Sequence, residues 1–163
     1  MPHVTIEYTI LLPMLILQIF LFPLTANWMM SIWTDSRRTI ALQEAASHLG
    51  STLQQTYFLL NHNTISGVIT QKSDLPLLIE TMSFTANATL KRVLDAGLDP
   101  TGNSSKLLEL TLRLGTTQIK ATSQVLLGQN VLWQPSTFLS SSSNAGITAV
   151  KLANGTINIQ FTS

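Results

Sequence analysis

The chain contains no cysteine. That excludes disulfides, thiolate nucleophiles and cysteine metal ligands together. Charge is scarce as well. Asp, Glu, Lys and Arg make up 10% of the residues, whereas an ordinary soluble domain carries about 25%. Net charge is +1, too small to argue for nucleic acid or an anionic surface as partner. No glycine-rich phosphate loop, nucleophile elbow or triad spacing occurs. His3, His48 and His62 are the only histidines, and they show no ligand spacing. His48 reads as a helix-surface residue. Asp95, Asp99 and Glu109 scatter around a turn without a recognised calcium-loop spacing. These absences argue against an enzyme, and they leave no cofactor and no metal site to expect.

What the chain does have is one long apolar run. Residues 8–33, YTILLPMLILQIFLFPLTANWMMSIW, hold no charged side chain, and only Gln18 and Asn27 are strongly polar. A helix of roughly 20 apolar residues spans a hydrocarbon core, so this stretch is long enough to cross with some tilt. Residues 1–6 carry no Lys or Arg. A secretory signal peptide has a basic leader and an apolar run of about 7–15 residues, so the helix reads as retained in the mature protein. The expectation is that a short leader has been removed, or that cleavage falls within the first few residues.

Glu7 sits at the edge of this run. One reading is a carboxylate in the first helical turn, favoured by the helix dipole. The other is a carboxylate buried among packed helices, which must then be paired; a neighbouring subunit's α-amino group would serve. Pro13 and Pro23 each remove a backbone donor inside the run, and a kink or a melted segment is expected near one of them, chiefly Pro23. Trp28 and Trp33 suit a membrane–water boundary or plain helix packing. Arg37 and Arg38, with no basic residue before the span, would by the positive-inside rule keep the following residues in the cell. The three glycosylation sequons downstream argue the opposite, and the outside placement is preferred.

From residue 36 to about residue 60 the pattern stays helical. Leu42, Ala45, Ala46, Leu49, Leu53 and Tyr57 recur at three- and four-residue steps and form one apolar stripe. Gly50 is an isolated interruption that costs only about 1 kcal/mol. One helix of roughly 50 residues follows, apolar all round in its first half and amphipathic in its second. The amphipathic face needs a partner, which must be the rest of the chain. Beyond Asn61 the sequence turns Ser/Thr/Asn-rich and strand-like. Strands are expected at 67–70, 77–84, 88–94, 107–114, 118–127, 131–134, 147–152 and 156–161. A turn is expected around 97–103, and Asn154-Gly155 marks a hairpin. The Ser140–Ser143 run reads as a flexible loop. The fold class is therefore α+β. Residues 1–60 form the long helix, whose first half can anchor in a membrane, and 61–163 form a small antiparallel, β-sandwich-like head.

Residues 7–13, Glu-Tyr-Thr-Ile-Leu-Leu-Pro, resemble the glutamate–aromatic–apolar–proline opening of Tad-type (TadE-like) pilins and pseudopilins. The Ala-rich continuation at 41–49 fits that family too. The whole architecture resembles the type IV pilin superfamily, and the cysteine-free Ser/Thr/Asn-rich head looks most like archaeal pilins and archaellins. The resemblance implies that Glu7 pairs with a neighbour's N-terminus during assembly and that Pro23 is the helix-breaking proline of the core. With His3 as mature first residue, Glu7 would have the family's spacing. The family's basic, small-residue-terminated leader is not visible. The implied partners are copies of the same chain, the membrane before assembly, pilus assembly machinery and a prepilin peptidase.

Asn87-Ala-Thr89, Asn103-Ser-Ser105 and Asn154-Gly-Thr156 are N-glycosylation acceptor triplets. The resulting expectation is a pilin, a glycosylated structural subunit that polymerises through its apolar helix into an extracellular type IV-like filament for adhesion or surface interaction. The alternative is a minor pilin, pseudopilin or single-pass anchored β-domain that does not form the filament itself.

Overall fold

The computed structural model describes the backbone of residues 3–62, 66–92 and 105–163, and the side chains of 9–62, 66–91 and 105–163. The chain divides into two compact units, Met1–Arg37 and Arg38–Ser163. One helix, α1 (His3–Asn61), contributes to both. The run between Asp35 and Gln55 contains no proline, and Gly50 is its only glycine, so nothing in it breaks the i to i−4 ladder. The helix also continues unbroken through Pro13 and Pro23. The expected melted segment near Pro23 is therefore absent. A proline removes one donor and leaves the flanking bonds of a long apolar helix in place.

In the second unit the expected stripe is the buried face of α1. Leu42, Ala45, Ala46, Leu49, Leu53, Tyr57 and Leu60 are all buried, while His48 on the other side is exposed. Burial of this face holds the helix to the head, because propensity alone stabilises a helix only weakly. Thr52 and Thr56 are buried with it. Each hydroxyl donates to the carbonyl four residues earlier, His48 and Thr52 respectively, so neither is orphaned.

Among the described residues eight strands follow: β1 (Gly67–Lys72), β2 (Phe84–Arg92), β3 (Lys106–Leu114), β4 (Lys120–Leu127), β5 (Val131–Trp133), β6 (Thr137–Leu139), β7 (Gly146–Lys151) and β8 (Ile157–Thr162). They form two four-stranded sheets, ordered β1-β7-β8-β5 and β4-β3-β2-β6. Period-two burial is clearest in β3, where Leu108, Leu110, Leu112 and Leu114 are fully buried, and in β8, where Ile157, Ile159 and Phe161 point in and Asn158 and Gln160 alternate with them. Four aromatic rings join the two sheets on the side of β5 and β6. Phe138 lies 6.1 Å from Phe84 and 5.7 Å from Phe161, and Phe161 lies 4.9 Å from Trp133, centroid to centroid. The helix serves the β1 and β4 edges. The Thr56 hydroxyl lies 3.1 Å from Gln71 Oε1 on β1, and the Gln43 amide donates to the Thr122 carbonyl on β4 at 3.1 Å.

Several strand expectations change. Residues 77–84 form no strand before Phe84. They hold one isolated bridge, Ile79 to Met82, because Glu80 adopts φ +57 and turns the chain there. The head is not wholly antiparallel: β5 and β8 pair in parallel. β8 returns between β7 and β5 after a connection long enough for a parallel crossover. β6, three residues beyond Pro135, escaped the pattern. The Ser140–Ser143 run is anchored at its start. Ser140 is buried, accepts the Phe84 amide at 2.9 Å and donates to the Leu77 carbonyl at 2.8 Å. The expected turn at 97–103, and the end of the strand expected to residue 94, lie outside the described residues.

Candidate assembly surface

Within the first unit, no described side chain from residue 9 to 33 is buried or half-buried. The large apolar side chains from Ile10 to Trp33 range from 47% exposure at Ile16 to 74% at Phe22. They include Leu, Ile, Met, Phe and Trp all around the helix. Fully burying one such side chain contributes about 1.5–3 kcal/mol. Covering the whole surface thus exceeds the roughly 5–15 kcal/mol that keeps an ordinary domain folded. The segment is long and apolar enough to cross a membrane, and an exposed apolar surface of this extent marks a membrane- or protein-interaction surface.

Three hydroxyls toward its C-terminal end fold back on the helix itself. The Thr25 hydroxyl lies 3.1 Å from the Leu21 carbonyl and 2.9 Å from that of Phe22, Ser31 donates to Trp28 and Thr34 to Met30. These back-bonds hide hydroxyls from an apolar environment. The Arg37 guanidinium lies 4.9 Å from the Trp33 ring centroid. This cation–π contact was missed from sequence, although the i, i+4 spacing of an arginine and a tryptophan is the signal for it.

Pro13 and Pro23 both lie inside α1. Glu7 is in α1 as well, but the helix begins at His3 and has no acidic residue in its first turn. The first-turn placement of Glu7 is therefore corrected, and the dipole effect, which fades beyond that turn, loses its force there. The Glu7 side chain lies outside the described residues. The structure brings Glu7, Pro13 and Pro23 onto one element and nothing more.

Of the sequons, Asn87 sits within β2, hydrogen-bonded between β3 and β6, and its Oδ1 accepts the Thr137 hydroxyl at 2.9 Å. Asn154 is exposed in the β7–β8 connection. That connection is not the two-residue turn that Asn-Gly suggests. The Leu152 amide bonds the Thr156 carbonyl, the Gly155 amide bonds the Leu152 carbonyl, and Gly155 alone has positive φ, +82. It is a three-residue loop ending in a left-handed glycine. Asn103 lies outside the described residues, as do Asp95 and Asp99. Glu109, the third carboxylate of that set, forms an ion pair with Lys91.

Among the described residues the head shows an apolar hollow and a cleft. An open apolar hollow at the end of α1 is lined by Gln55, Phe58, Leu59 and His62. Its sequence signal is the run 57–60, apolar on every side where one stripe would suffice. A cleft of about 260 Å³ lies between Lys72 and the loop 140–145. Its described lining contains no carboxylate or imidazole, so no acid–base pair is assembled there. Among the described residues no three His, Asp or Glu gather as a metal-binding group. Comparison with protein-family models, with curated proteins and with solved structures finds no match.

Proposed function

We propose that this chain is a pilin, a structural subunit that polymerises through residues 8–33 into an extracellular type IV-like filament used in adhesion or surface interaction. The observation that carries the reading is the contrast along α1. One half buries its apolar stripe in its own head, and the other half, apolar on every side, has no described side chain covered between residues 9 and 33. A segment of that kind is stable in lipid before assembly. In water it is stable only when every side is packed, and copies of itself supply the matching surface. A contact between unlike faces that does not close on itself generates an open helical polymer. Heads of low charge pack side by side without large repulsion. Glu7, on the same helix, would then pair with the α-amino group of the next subunit.

The same span also suits a single membrane crossing, which favours a second reading: an anchored β-domain or minor subunit that acts in assembly or adhesion without forming the filament itself. Electron microscopy and protein identification of sheared cell-surface material separate the two. A filament made predominantly of this chain is expected. Retention of the chain in the membrane fraction, with filaments made of other subunits, selects the second reading.

A further inference from the structure

The two described sequons are not equivalent acceptors. Asn87 is locked in the middle of a nine-residue strand with neighbours on both sides, and its Oδ1 is engaged by Thr137. The Asn87 side chain is exposed on the sheet surface, but for its sequon to bend into an enzyme's active site the backbone of β2 would have to leave β3 and β6 together, a larger opening than a surface loop requires. Asn154 needs no such opening. Ala153 and Asn154 are exposed, and a side chain placed on Gly155 would meet nothing within 4 Å. The Asn154 Oδ1 accepts the Thr156 amide at 3.0 Å. This Asx turn draws the three sequon residues into a compact loop and directs the Asn154 amide nitrogen away from that bond. Among the described residues that nitrogen has no hydrogen-bond partner. The base of the loop is fixed, because Asn130 Nδ2 donates to the Gly155 carbonyl at 3.0 Å and the Ile157 amide donates to the Asn130 carbonyl at 2.7 Å.

We infer that Asn154 is an N-glycosylation site of the folded head and that Asn87 is not. The glycosyl donor is a lipid-phosphate-linked saccharide, used by a membrane-bound transferase. The Asn154 Nδ2 attacks the anomeric carbon, the N–C bond forms, the carbon–oxygen bond to the phosphate breaks, the lipid phosphate leaves with the bonding electron pair, and Nδ2 loses one proton. No oxidant or reductant is needed. A glycan at this tip would cover the exposed end of the β7–β8 hairpin.

The inference rests on the outside placement of the head, and the test separates the two. Full-length chain is recovered from its own host's surface, after checking that protease added to intact cells cleaves the head. Glycopeptide mass spectrometry is expected to find a saccharide on the peptide containing Asn154 and none on that containing Asn87. Asn154→Gln and Thr156→Ala should each lose the same mass, Thr156→Ser should keep it, and Asn87→Gln should change nothing. Bare Asn154 on a protease-accessible head overturns the inference and leaves the filament reading standing. So does a saccharide at Asn87 instead. A head protected from external protease overturns both.

Discussion

Arg38 Nε donates to Glu80 Oε2 at 2.7 Å, and Glu80, at φ +57, is the one non-glycine residue with positive φ among the described residues. The pair ties the start of the head's helical portion to a tight turn more than 40 residues away. The turn is closed by reciprocal amide–carbonyl bonds between Ile79 and Met82.

Two effects at Glu80 oppose each other, and substitution separates them. The ion pair is partly exposed, with side chains 26% and 36% accessible, so it contributes at most about 1 kcal/mol. A left-handed non-glycine residue costs about 1 kcal/mol or more. Glu80→Ala loses the pair and keeps the strain, whereas Glu80→Gly loses the pair and relieves it. Glu80→Gly is therefore expected to be the more stable of the two by about 1 kcal/mol, read from denaturant midpoints of the full chain in mild detergent. Equal midpoints would mean that the turn is not strained.

The stripe at 42–57 was legible because a helix that buries one face repeats its apolar residues at that spacing. The same logic exposed β3 and β8, where Leu and Ile alternate with polar residues. The turn at Glu80 was not legible, since nothing in Leu78-Ile79-Glu80-Thr81 announces a left-handed residue. The identity of β6 depends on pairing with β2 across about 50 residues, and three residues are too few for periodicity to register. At the candidate surface, composition revealed the apolar run. It could not reveal that Asn154 sits in an Asx turn and Asn87 in a ladder, because both triplets look alike until pairing is known.

Leu53 is fully buried on the helix stripe. Leu53→Ala removes its packing and leaves a cavity, so a loss of about 2–5 kcal/mol is expected. Leu59, on the same helix but 52% exposed, should lose less than about 1 kcal/mol as Leu59→Ala. Thermal unfolding of the two variants in the same detergent checks the contrast. Similar losses would show that the second half of α1 does not dock through its stripe.

Trp133 presents a conflict within the head. Its ring packs edge-on against Phe161, yet its buried indole Nε1 has no hydrogen-bond partner among the described residues. An unsatisfied buried donor costs about 1–3 kcal/mol. Trp133→Phe keeps an aromatic ring and removes that donor, and is expected to be neutral or stabilising. Trp133→Ala forfeits the packing and should lose about 3–5 kcal/mol. Near-equal losses for the two variants would imply that the indole N–H is satisfied in solution.

Ser140 shows the reverse situation, a buried hydroxyl with both roles filled. It accepts from the Phe84 amide and donates to the Leu77 carbonyl, fastening the 77–84 segment to the end of β6. Ser140→Ala leaves both backbone groups without that partner, at an expected cost of about 1–3 kcal/mol. Ser140→Thr should keep the hydrogen bonds but must fit an extra methyl in a site with 2% exposure. Faster amide exchange at Phe84 in Ser140→Ala, with exchange in β8 unchanged, would place the loss at this fastening. Unchanged exchange at Phe84 would refute it.

The apolar half of α1 allows the filament and anchor readings to be told apart by a mild change. Phe20 and Phe22 are 69% and 74% exposed on nearly opposite sides of the helix. Changing both to Ala leaves the stretch uncharged, still helical by propensity and still long enough to span a bilayer. Membrane insertion should therefore persist. Packing between helices depends on shape as well as polarity, and each truncation of a buried phenylalanine costs about 3–5 kcal/mol. In a polymer the loss recurs at every subunit. The expected outcome is normal membrane-fraction abundance with sheared filament reduced at least tenfold, a change of only about 1.4 kcal/mol in assembly free energy. Unchanged filament yield with both rings removed would mean that these side chains face lipid or solvent in the working protein rather than other copies of the helix.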